Sequence, residues 1–395
     1  MSISALKESI RARLEDPTFP EIVSWKRDNP GSKVIGYFPV YAPVELIRAA
    51  HMLPVMVSGA MGRVNLDEAD GALQSFVCSV GRSTLELKLD GNLDNLDGMV
   101  FPSTCEISRG LSGVWDRRGS HKPFIYLHYP QNVDSAASMT YMLAELNRLK
   151  KMLEEIGGRE ITVTDINHAI EVYNKRSLLL RELDEFRVQF PDSLLASEYY
   201  VLRLAGVAAS CEQHILILEE AIRELKSTPP RFNPKFRVAM VGAFCERPPI
   251  AMLEAIEEQG IAIVYDDFLL GQRWFRDLLP ITDDPMRTLA DFYLHHSVEN
   301  SILYKPGATP CAGIVSRARE RGAEGVFIVS AKSCNPAHHD NTCIASTCEK
   351  SGIPYIKFEF EEDQRVFESI RMGIEALLEA RERLPYAGTE RVDAR

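Results

Sequence analysis

The chain has 395 residues, is 45% hydrophobic and carries a formal net charge of −11, which is typical of a globular protein with two or three core-forming units. The acidic balance argues against a nucleic-acid partner, because such binding depends on Lys and Arg at the phosphates. No apolar run approaches the roughly 20 residues that cross a bilayer. Residues 1–30 also lack the apolar centre of a secretion signal. We therefore expect a cytoplasmic protein without a membrane partner.

Strand and helix patterns alternate in the first third of the chain. Residues 1–30 are predicted to form a peripheral helical segment, and residues 31–135 an α/β lobe. Apolar strands are predicted at 33–39, 53–59, 97–103 and 123–130, with helices at 43–52 and 81–90. This alternation indicates parallel pairing and a sheet whose faces are covered by helices.

Residues 136–230 have a long helical pattern instead. One helix is predicted to end at Gly157-Gly158, because glycine is the usual residue after a helix C-terminus. Thr164 or Asp165 is predicted to cap the next helix, and Pro229-Pro230 is interpreted as a linker.

The alternating pattern returns in residues 231–395, which are predicted to form a second α/β lobe. Its strands are predicted at 236–244, 261–267, 325–331 and 353–360, and its last helix at 365–381. The predicted fold class is therefore α/β, with two Rossmann-like lobes of parallel strands and a helical segment between them. Both lobes have the same order of elements, which an internal duplication or the common order of α/β domains would explain equally well.

Three of the eight cysteines stand where a ligand site would form. Cys105 and Cys334 each follow an apolar strand, and ligands of open parallel sheets bind beyond the carboxyl ends of the strands. Cys78 precedes a helix of the first lobe, so the three thiols could meet in a cleft between the lobes. Thiolates are the usual ligands of iron–sulfur clusters, but separations of 27 and 229 residues form no local motif, and a buried or reactive thiol stays an alternative.

The other cysteines give weaker signals. Cys211 lies in an apolar helical stretch and is predicted to be core, whereas Cys245 follows a strand and is the reserve ligand candidate. Cys311 begins a helix, and Cys343 and Cys348 fall on different helix faces. There is no CxxC, which argues against a structural zinc site, and a reducing compartment argues against a disulfide framework.

Two polar residues are candidates for proton transfer. His338 lies just beyond Cys334 and could donate a proton near neutral pH, or it could be a solvated residue at a helix start. Glu45 could point into the cleft, or it could be a carboxylate favoured by a helix N-terminus. The chain has no P-loop, no GxSxG and no GxGxxG after a strand, and hence no ATP, serine-hydrolase or NAD signature of its own.

Four segments of the chain carry a family resemblance: GYFPVYAPVELIRAAHMLPV, QSFVCSVGRSTLEL, LDGMVFPSTCEISRGLSGVW and VSAKSCNPAHHD. In sequence and in order they resemble the benzoyl-CoA reductase and 2-hydroxyacyl-CoA dehydratase family over nearly the whole chain. Within the family, the third segment is most similar to the C-subunit type of the ATP-dependent reductase.

The resemblance implies a 4Fe–4S cluster in the cleft between two α/β lobes. It assigns the cluster to Cys78, Cys105 and Cys334, with a non-cysteine ligand on the fourth iron. It also implies a heterodimer with a homologous cluster-bearing subunit, and separate ATP-hydrolysing subunits that deliver electrons from ferredoxin.

The implied reaction is an oxidoreductase reaction, the reduction of benzoyl-CoA to a cyclohexadiene carboxyl-CoA. Two alternatives stay open at this point. The chain could serve a 2-hydroxyacyl-CoA dehydratase, or it could only transfer electrons to a partner that holds the aryl-CoA or acyl-CoA substrate.

Overall fold

Two four-stranded parallel sheets organise the chain. The computed structural model describes residues 3–39, 41–117, 122–229, 236–243, 245–268, 277–296, 303–304 and 310–383. The predicted α/β class with two Rossmann-like lobes is confirmed. Within these residues no helix is both long enough and apolar enough to cross a membrane.

The first sheet has the strand order β2-β1-β3-β4. Its strands are β1 (Val34–Tyr37), β2 (Leu53–Met56), β3 (Gly98–Pro102) and β4 (Phe124–Leu127). Every residue of the first three strands is buried, which requires cover on both faces of the sheet. The helices of this part are α1 (Ile3–Leu14), α2 (Pro20–Asp28), α3 (Val44–Ala49), α4 (Asp67–Asp70), α5 (Ser79–Leu89) and α6 (Glu106–Arg117).

The second sheet repeats this arrangement as β6-β5-β7-β8. Its strands are β5 (Phe236–Val241), β6 (Ile261–Asp266), β7 (Gly325–Ala331) and β8 (Tyr355–Phe360). The helices here are α11 (Ile250–Glu257), α12 (Pro285–Asp291), a π-helical turn (Phe292–His296), α13 (Pro310–Glu320), α14 (Asn335–Ser351) and α15 (Glu368–Arg383). Both sheets share one strand order, as an internal duplication of the fold would require.

Four helices separate the two sheets along the chain: α7 (Ser138–Gly157), α8 (Val163–Gln189), α9 (Ala196–Leu204) and α10 (Cys211–Ser227). Gly158 follows α7 in the left-handed conformation, as predicted. The predicted cap of α8 is wrong by two or three residues, because Thr162 forms the cap. Its Oγ1 accepts a hydrogen bond from the Asp165 N–H at 3.1 Å, and Oδ2 of Asp165 accepts one from the Thr162 N–H at 2.9 Å.

One continuous apolar core joins these parts. It contains Ile35 of the first sheet, Leu180 of α8 and Phe327 of the second sheet. A separate, smaller core lies on the other face of the second sheet, under α13 and α14. The boundaries predicted at residues 30, 135 and 230 stay predictions, and part of the Pro229-Pro230 linker lies outside the described residues.

A buried ion network ties the helices to the second sheet. Asp184 and Arg187 come from α8, Arg203 from α9 and Asp266 from the end of β6, and none is more than 2% exposed. Arg203 Nη1 lies 2.8 Å from Asp266 Oδ1, and Arg187 Nη2 lies 2.6 Å from Asp184 Oδ1 and 3.4 Å from Asp266 Oδ2. Each carboxylate therefore faces at least one guanidinium, as buried charges require.

The lobes also touch directly at the carboxyl ends of their strands. Ser83 of α5 donates a hydrogen bond to Glu362 Oε2, just after β8, at 2.7 Å. Arg247 donates through Nη2 to the Ser58 carbonyl, just after β2, at 3.4 Å. This end of the molecule is thus a polar junction, unlike the apolar core below it.

Two sequence-based expectations need correction. The helix α6 was not predicted, and it carries Ile107, Leu111 and Trp115 on one face. The argument against a disulfide framework did not foresee the one disulfide that the described residues contain, between Cys311 and Cys343. Packing of α13 against α14 brings their Cα atoms to 5.8 Å, within the range that a disulfide spans.

Candidate functional site

Cys78, Cys105 and Cys334 line one cavity between the lobes, at the polar junction. The cavity is small and opens to solvent. Its lining residues are Phe38, Cys78, Val80, Cys105, Glu106, Ile107, Cys245, Glu246, Ser333, Cys334, Asn335 and Pro336. The structure therefore brings together three cysteines that the sequence separates by up to 256 positions (334 − 78).

Each of the three cysteines stands at the start of a helix. Cys78 caps α5, Cys334 caps α14, and Cys105 immediately precedes α6. Backbone N–H groups of the following turns, those of Gly81, Ser108 and Ala337 among them, act to lower the pKa of the three cysteines, although burial outweighs them. Since helix N-termini carry a partial positive charge, all three sulfurs lie where negative charge is stabilised.

Local sequence explains how the helices approach so closely. A Cβ on Gly81 would lie 2.7 Å from Cγ2 of Ile107, so only glycine lets α5 meet α6 at this point. Ser333, directly before Cys334, has φ 65°, a left-handed conformation that is uncommon for serine. The chain thus accepts a strained residue at the turn that presents Cys334.

The three thiols are held in their protonated form as they stand. Burial raises the pKa of Cys78 well above its ordinary value, and the nearby Glu246 carboxylate raises it further. Burial also raises the pKa of Cys105, and that of Cys334 to about 12. The described lining contains no Lys, Arg or His, so a cationic group inside the cavity would be needed to turn these thiols into thiolates.

Glu246 is a buried carboxyl group in the same cavity, 3% exposed. Its Oε1 accepts a hydrogen bond from Ser79 Oγ at 2.6 Å. Burial, with repulsion from Glu362, raises its pKa to about 8. Sequence reasoning missed this residue, although Cys245 beside it was a reserve candidate. The only sequence signal was its place just past a strand, and Cys245 does line the cavity.

A contact across the cavity mouth joins the two lobes. Asn335 Nδ2, in the first turn of α14, donates a hydrogen bond to Glu106 Oε1, in the first turn of α6, at 3.1 Å. Both residues line the cavity. This pair fixes the distance between the helix starts that present Cys105 and Cys334.

The two proton-transfer candidates lie elsewhere. His338 is half-exposed on α14, with Nδ1 3.9 Å from Oε1 of Glu359, and it is not among the residues that line the cavity. Glu45 is buried at the start of α3, where Tyr293 donates a hydrogen bond to its Oε2 at 2.9 Å. Burial raises the pKa of Glu45, but it too stands outside the cavity lining.

The arrangement is not that of a site for a single ion. Among the described residues, no group of three or more His, Cys, Asp or Glu side chains has the geometry to hold a metal ion. A four-iron cluster distributes its thiolates over separate irons, so its ligands surround the cluster rather than one atom. Three thiols on the walls of a cavity with no lining Lys, Arg or His have the donor chemistry that such a group requires.

Comparison with known proteins identifies the family of the chain. A family model described as 2-hydroxyglutaryl-CoA dehydratase, D-component, matches residues 39–380. The C subunit of benzoyl-CoA reductase from Thauera aromatica is 32% identical over 94% of this chain and 96% of that protein.

Two further relatives belong to dehydratases. The beta subunit of (R)-2-hydroxyglutaryl-CoA dehydratase of Acidaminococcus fermentans is 29% identical over 96% of this chain and 100% of that protein. The beta subunit of (R)-phenyllactyl-CoA dehydratase of Clostridium sporogenes is 28% identical over 88% of this chain and 92% of that protein. The family resemblance drawn from the sequence is confirmed.

Proposed function

This chain belongs to the 2-hydroxyglutaryl-CoA dehydratase D-component family, and from that membership we propose that it is the iron–sulfur subunit of an ATP-dependent benzoyl-CoA reductase. The observation that carries the proposal is the convergence of Cys78, Cys105 and Cys334 on one cavity, each at a helix N-terminus. The relative from Thauera aromatica, named as the C subunit of a benzoyl-CoA reductase, favours the reductase over the dehydratases.

The three cysteines would hold a 4Fe–4S cluster, which when bound supplies low-potential electrons, one at a time. Cys78 and Cys105 come from the first lobe and Cys334 from the second, so both lobes must be in place to hold it. The N–H groups at the helix starts would stabilise the thiolates and raise the potential at which the cluster accepts an electron. The apolar side chains of Phe38, Val80 and Ile107 would limit the access of water to the cluster.

In the proposed reaction, benzoyl-CoA takes up two electrons and two protons and becomes a cyclohexadiene carboxyl-CoA. The described chain shows no nucleotide-binding motif, so ATP hydrolysis is assigned to partner subunits with ferredoxin as their electron donor. A homologous cluster-bearing subunit would complete the heterodimer. All of these partners are expected in the cytoplasm.

The experiment that tests the proposal is anaerobic turnover of the purified complex. Benzoyl-CoA should be reduced with consumption of electrons in proportion to product, two for each molecule. A dehydratase would instead eliminate water from a 2-hydroxyacyl-CoA after priming with a catalytic amount of electrons. Turnover of the hydroxyacyl-CoA alone would reject the reductase in favour of the dehydratase, the second function that the relatives support.

A further inference from the structure

A second cavity lies beyond the carboxyl end of β2. It is larger than the cavity lined by Cys78, Cys105 and Cys334 (the cysteine cavity) and shares no lining residue with it. Its walls come from α1, α2 and the turn between them, from the segment after β2, from the segment between α9 and α10, and from Arg247 of the second lobe. Ligands of open parallel sheets bind beyond the carboxyl ends of the strands, so this cavity too lies where a ligand site is expected.

Arg247 brings a positive charge to this cavity, and that charge is poorly paired. Its Nη2 donates a hydrogen bond to the Ser58 carbonyl at 3.4 Å, which is long for such a bond, and its Nε is buried without a hydrogen-bond partner. Among the described residues no carboxylate forms an ion pair with it. The charge of Glu362 acts on it from farther away, but the oxygens of Glu362 accept hydrogen bonds from Ser83 and the Met61 N–H.

Burial lowers the pKa of Arg247, as is expected for a guanidinium that water solvates poorly. Charged groups that are withdrawn from water are almost always paired with an opposite charge. The guanidinium therefore lacks a counter-charge, and an anionic ligand in the cavity would supply it.

Two neutral groups around Arg247 are also unsatisfied. Ser58 is 4% exposed, and its Oγ has no hydrogen-bond partner. Tyr200 of α9 is 1% exposed, acts electrostatically on Arg247, and has a hydroxyl group without a hydrogen-bond partner. Buried polar atoms are seldom left unpaired. Three donors from three segments are thus unsatisfied in one place, which is the pattern of a site built to receive an acceptor.

The rest of the lining limits the chemistry of the ligand. Arg13 and Glu21 balance each other, with Nε and Oε1 3.8 Å apart, while Asp16 adds a further negative charge. A doubly charged phosphate would be repelled by these carboxylates, whereas a single carboxylate would balance Arg247 alone. The remaining walls are largely apolar and suit a small hydrocarbon body: Ile10, Leu14, Phe19, Met56, Val207 and Ala208.

We propose that this cavity binds the anion of a small monocarboxylic acid with an apolar body. The carboxylate would accept hydrogen bonds from the Arg247 guanidinium, whose planar set of donors matches a carboxylate. The apolar body would lie against α1 and the segment before α10. The site needs no iron and is therefore independent of the proposed reductase function. Because Arg247 directly follows Glu246, one segment of the chain borders both cavities.

Two further residues supply a matched control and a second variant. Arg237 is also a partly buried arginine whose pKa is lowered by burial. Its Nη2 donates to the Val188 carbonyl at 3.1 Å, and it lies in β5, outside the cavity lining. Ala209 is a partly buried residue of the lining, so Ala209→Leu narrows the cavity and keeps the guanidinium.

Isothermal titration calorimetry of the purified chain tests the proposal. Benzoate and butyrate are the probes, and benzamide and inorganic phosphate are the neutral and the more highly charged comparisons. We expect the wild type and Arg237→Met to bind at least one of the two carboxylates at least about tenfold more tightly than benzamide or phosphate. Arg247→Met and Ala209→Leu should each bind that carboxylate at least about tenfold more weakly than the wild type. The carboxylate should also raise the unfolding temperature of the wild type and of Arg237→Met, because it binds only the folded state.

Unfolding without added carboxylate separates a ligand site from a structural arginine. If Arg247 serves a ligand, Arg247→Met removes an unpaired charge and should unfold at a temperature no lower than that of the wild type. A clear fall in that temperature, with no carboxylate binding by the wild type, would assign Arg247 to the lobe junction and reject the proposal. Tighter binding of phosphate than of either carboxylate, or undiminished carboxylate binding in Arg247→Met, would also reject it. Each of these results leaves the iron content of the cysteine cavity, and with it the proposed function, to be judged separately.

Discussion

The cysteine cavity and the buried ion network of the helices differ in how their buried ionisable groups are paired. In the network, Arg187 contacts Asp184 and Asp266, and Arg203 contacts Asp266, at distances of 2.6 to 3.4 Å. Both guanidinium groups lie near the Tyr199 ring. In the cavity, thiols and a carboxyl group crowd together with no lining Lys, Arg or His among the described residues. In the first region each carboxylate faces a guanidinium group, whereas in the second burial holds the thiols and the carboxyl group in their protonated forms.

The comparison predicts that cavity substitutions abolish metal binding while network substitutions reduce stability. The largest effect is expected for Cys334→Ala, which removes the only thiol of the second lobe assigned to the cluster. Reconstituted wild-type protein should bind about four irons per chain, and the variant less than a quarter of that. Iron analysis measures it, with the buried Cys211→Ala as control. Full iron in Cys334→Ala would remove this residue from the ligand set.

The network should show the reverse behaviour. Asp266→Asn removes the carboxylate that Arg187 and Arg203 share, so we expect the free energy of unfolding to fall by about 3–5 kcal/mol. Urea denaturation of the apo protein measures this. Asp70→Asn, which removes an exposed partner of Arg82, should cost less than about 1 kcal/mol. Equal losses of unfolding free energy in the two variants would show that the buried network contributes no more to stability than an exposed ion pair.

An intermediate effect is expected where the lobes meet. Ser83→Ala removes the donor to Glu362 Oε2 and leaves that oxygen unpaired, which should cost about 1.5–3 kcal/mol. The exposed Ser24→Ala should change stability by less than about 0.5 kcal/mol. Both values come from urea unfolding at pH 7.5. A neutral Ser83→Ala would mean that this junction does not hold the lobes together.

The smallest effect concerns pH and the helical segment. His214 is fully buried, its Nε2–H donates to the Leu202 carbonyl at 2.9 Å, and burial, helped by Arg176, lowers its pKa to about 3. Above its unfolded pKa of about 6.5 the residue is neutral in both states. Below that pH the unfolded chain takes up the proton first, so stability falls as the pH falls toward 3.

The expected loss from His214 is about 1.4 kcal/mol at pH 5.5. Urea unfolding of the wild type and of His214→Gln at pH 7.5 and 5.5 isolates it, since other titrating groups are common to both. The variant should lose less stability on acidification by that amount. Parallel losses in the two proteins would show that His214 does not contribute to acid sensitivity.

The sequence was most informative where one rule decided the outcome. Buried parallel strands are apolar on both faces, so β1, β3, β5 and β7 were visible as short apolar runs, and the carboxyl-end rule then placed Cys105 and Cys334 at the cleft. The convergence of these two with Cys78 followed from the resemblance to a family, because separations of 27 and 229 residues contain no geometric information.

The sequence-based predictions failed for features that depend on tertiary contacts. The helix α6 contains Gly110 and Gly113, which disfavour helix, and it forms because Leu111 and Trp115 are buried. Thr162 rather than Thr164 caps α8, because it lies three positions before Asp165 and the two residues form a capping box. Glu246 could not be found, because a charged residue after a strand is usually exposed.

The cavity also sets an order of events during synthesis. Its walls include Cys78 near the start of the chain and Cys334, which leaves the ribosome 256 residues later (334 − 78). The pocket cannot exist until the second lobe has been made as far as Cys334 and has docked on the shared core, so any group it holds must be inserted after that point. A chain that stops short of Cys334 lacks one wall of the cavity and cannot bring the thiols of the two lobes together.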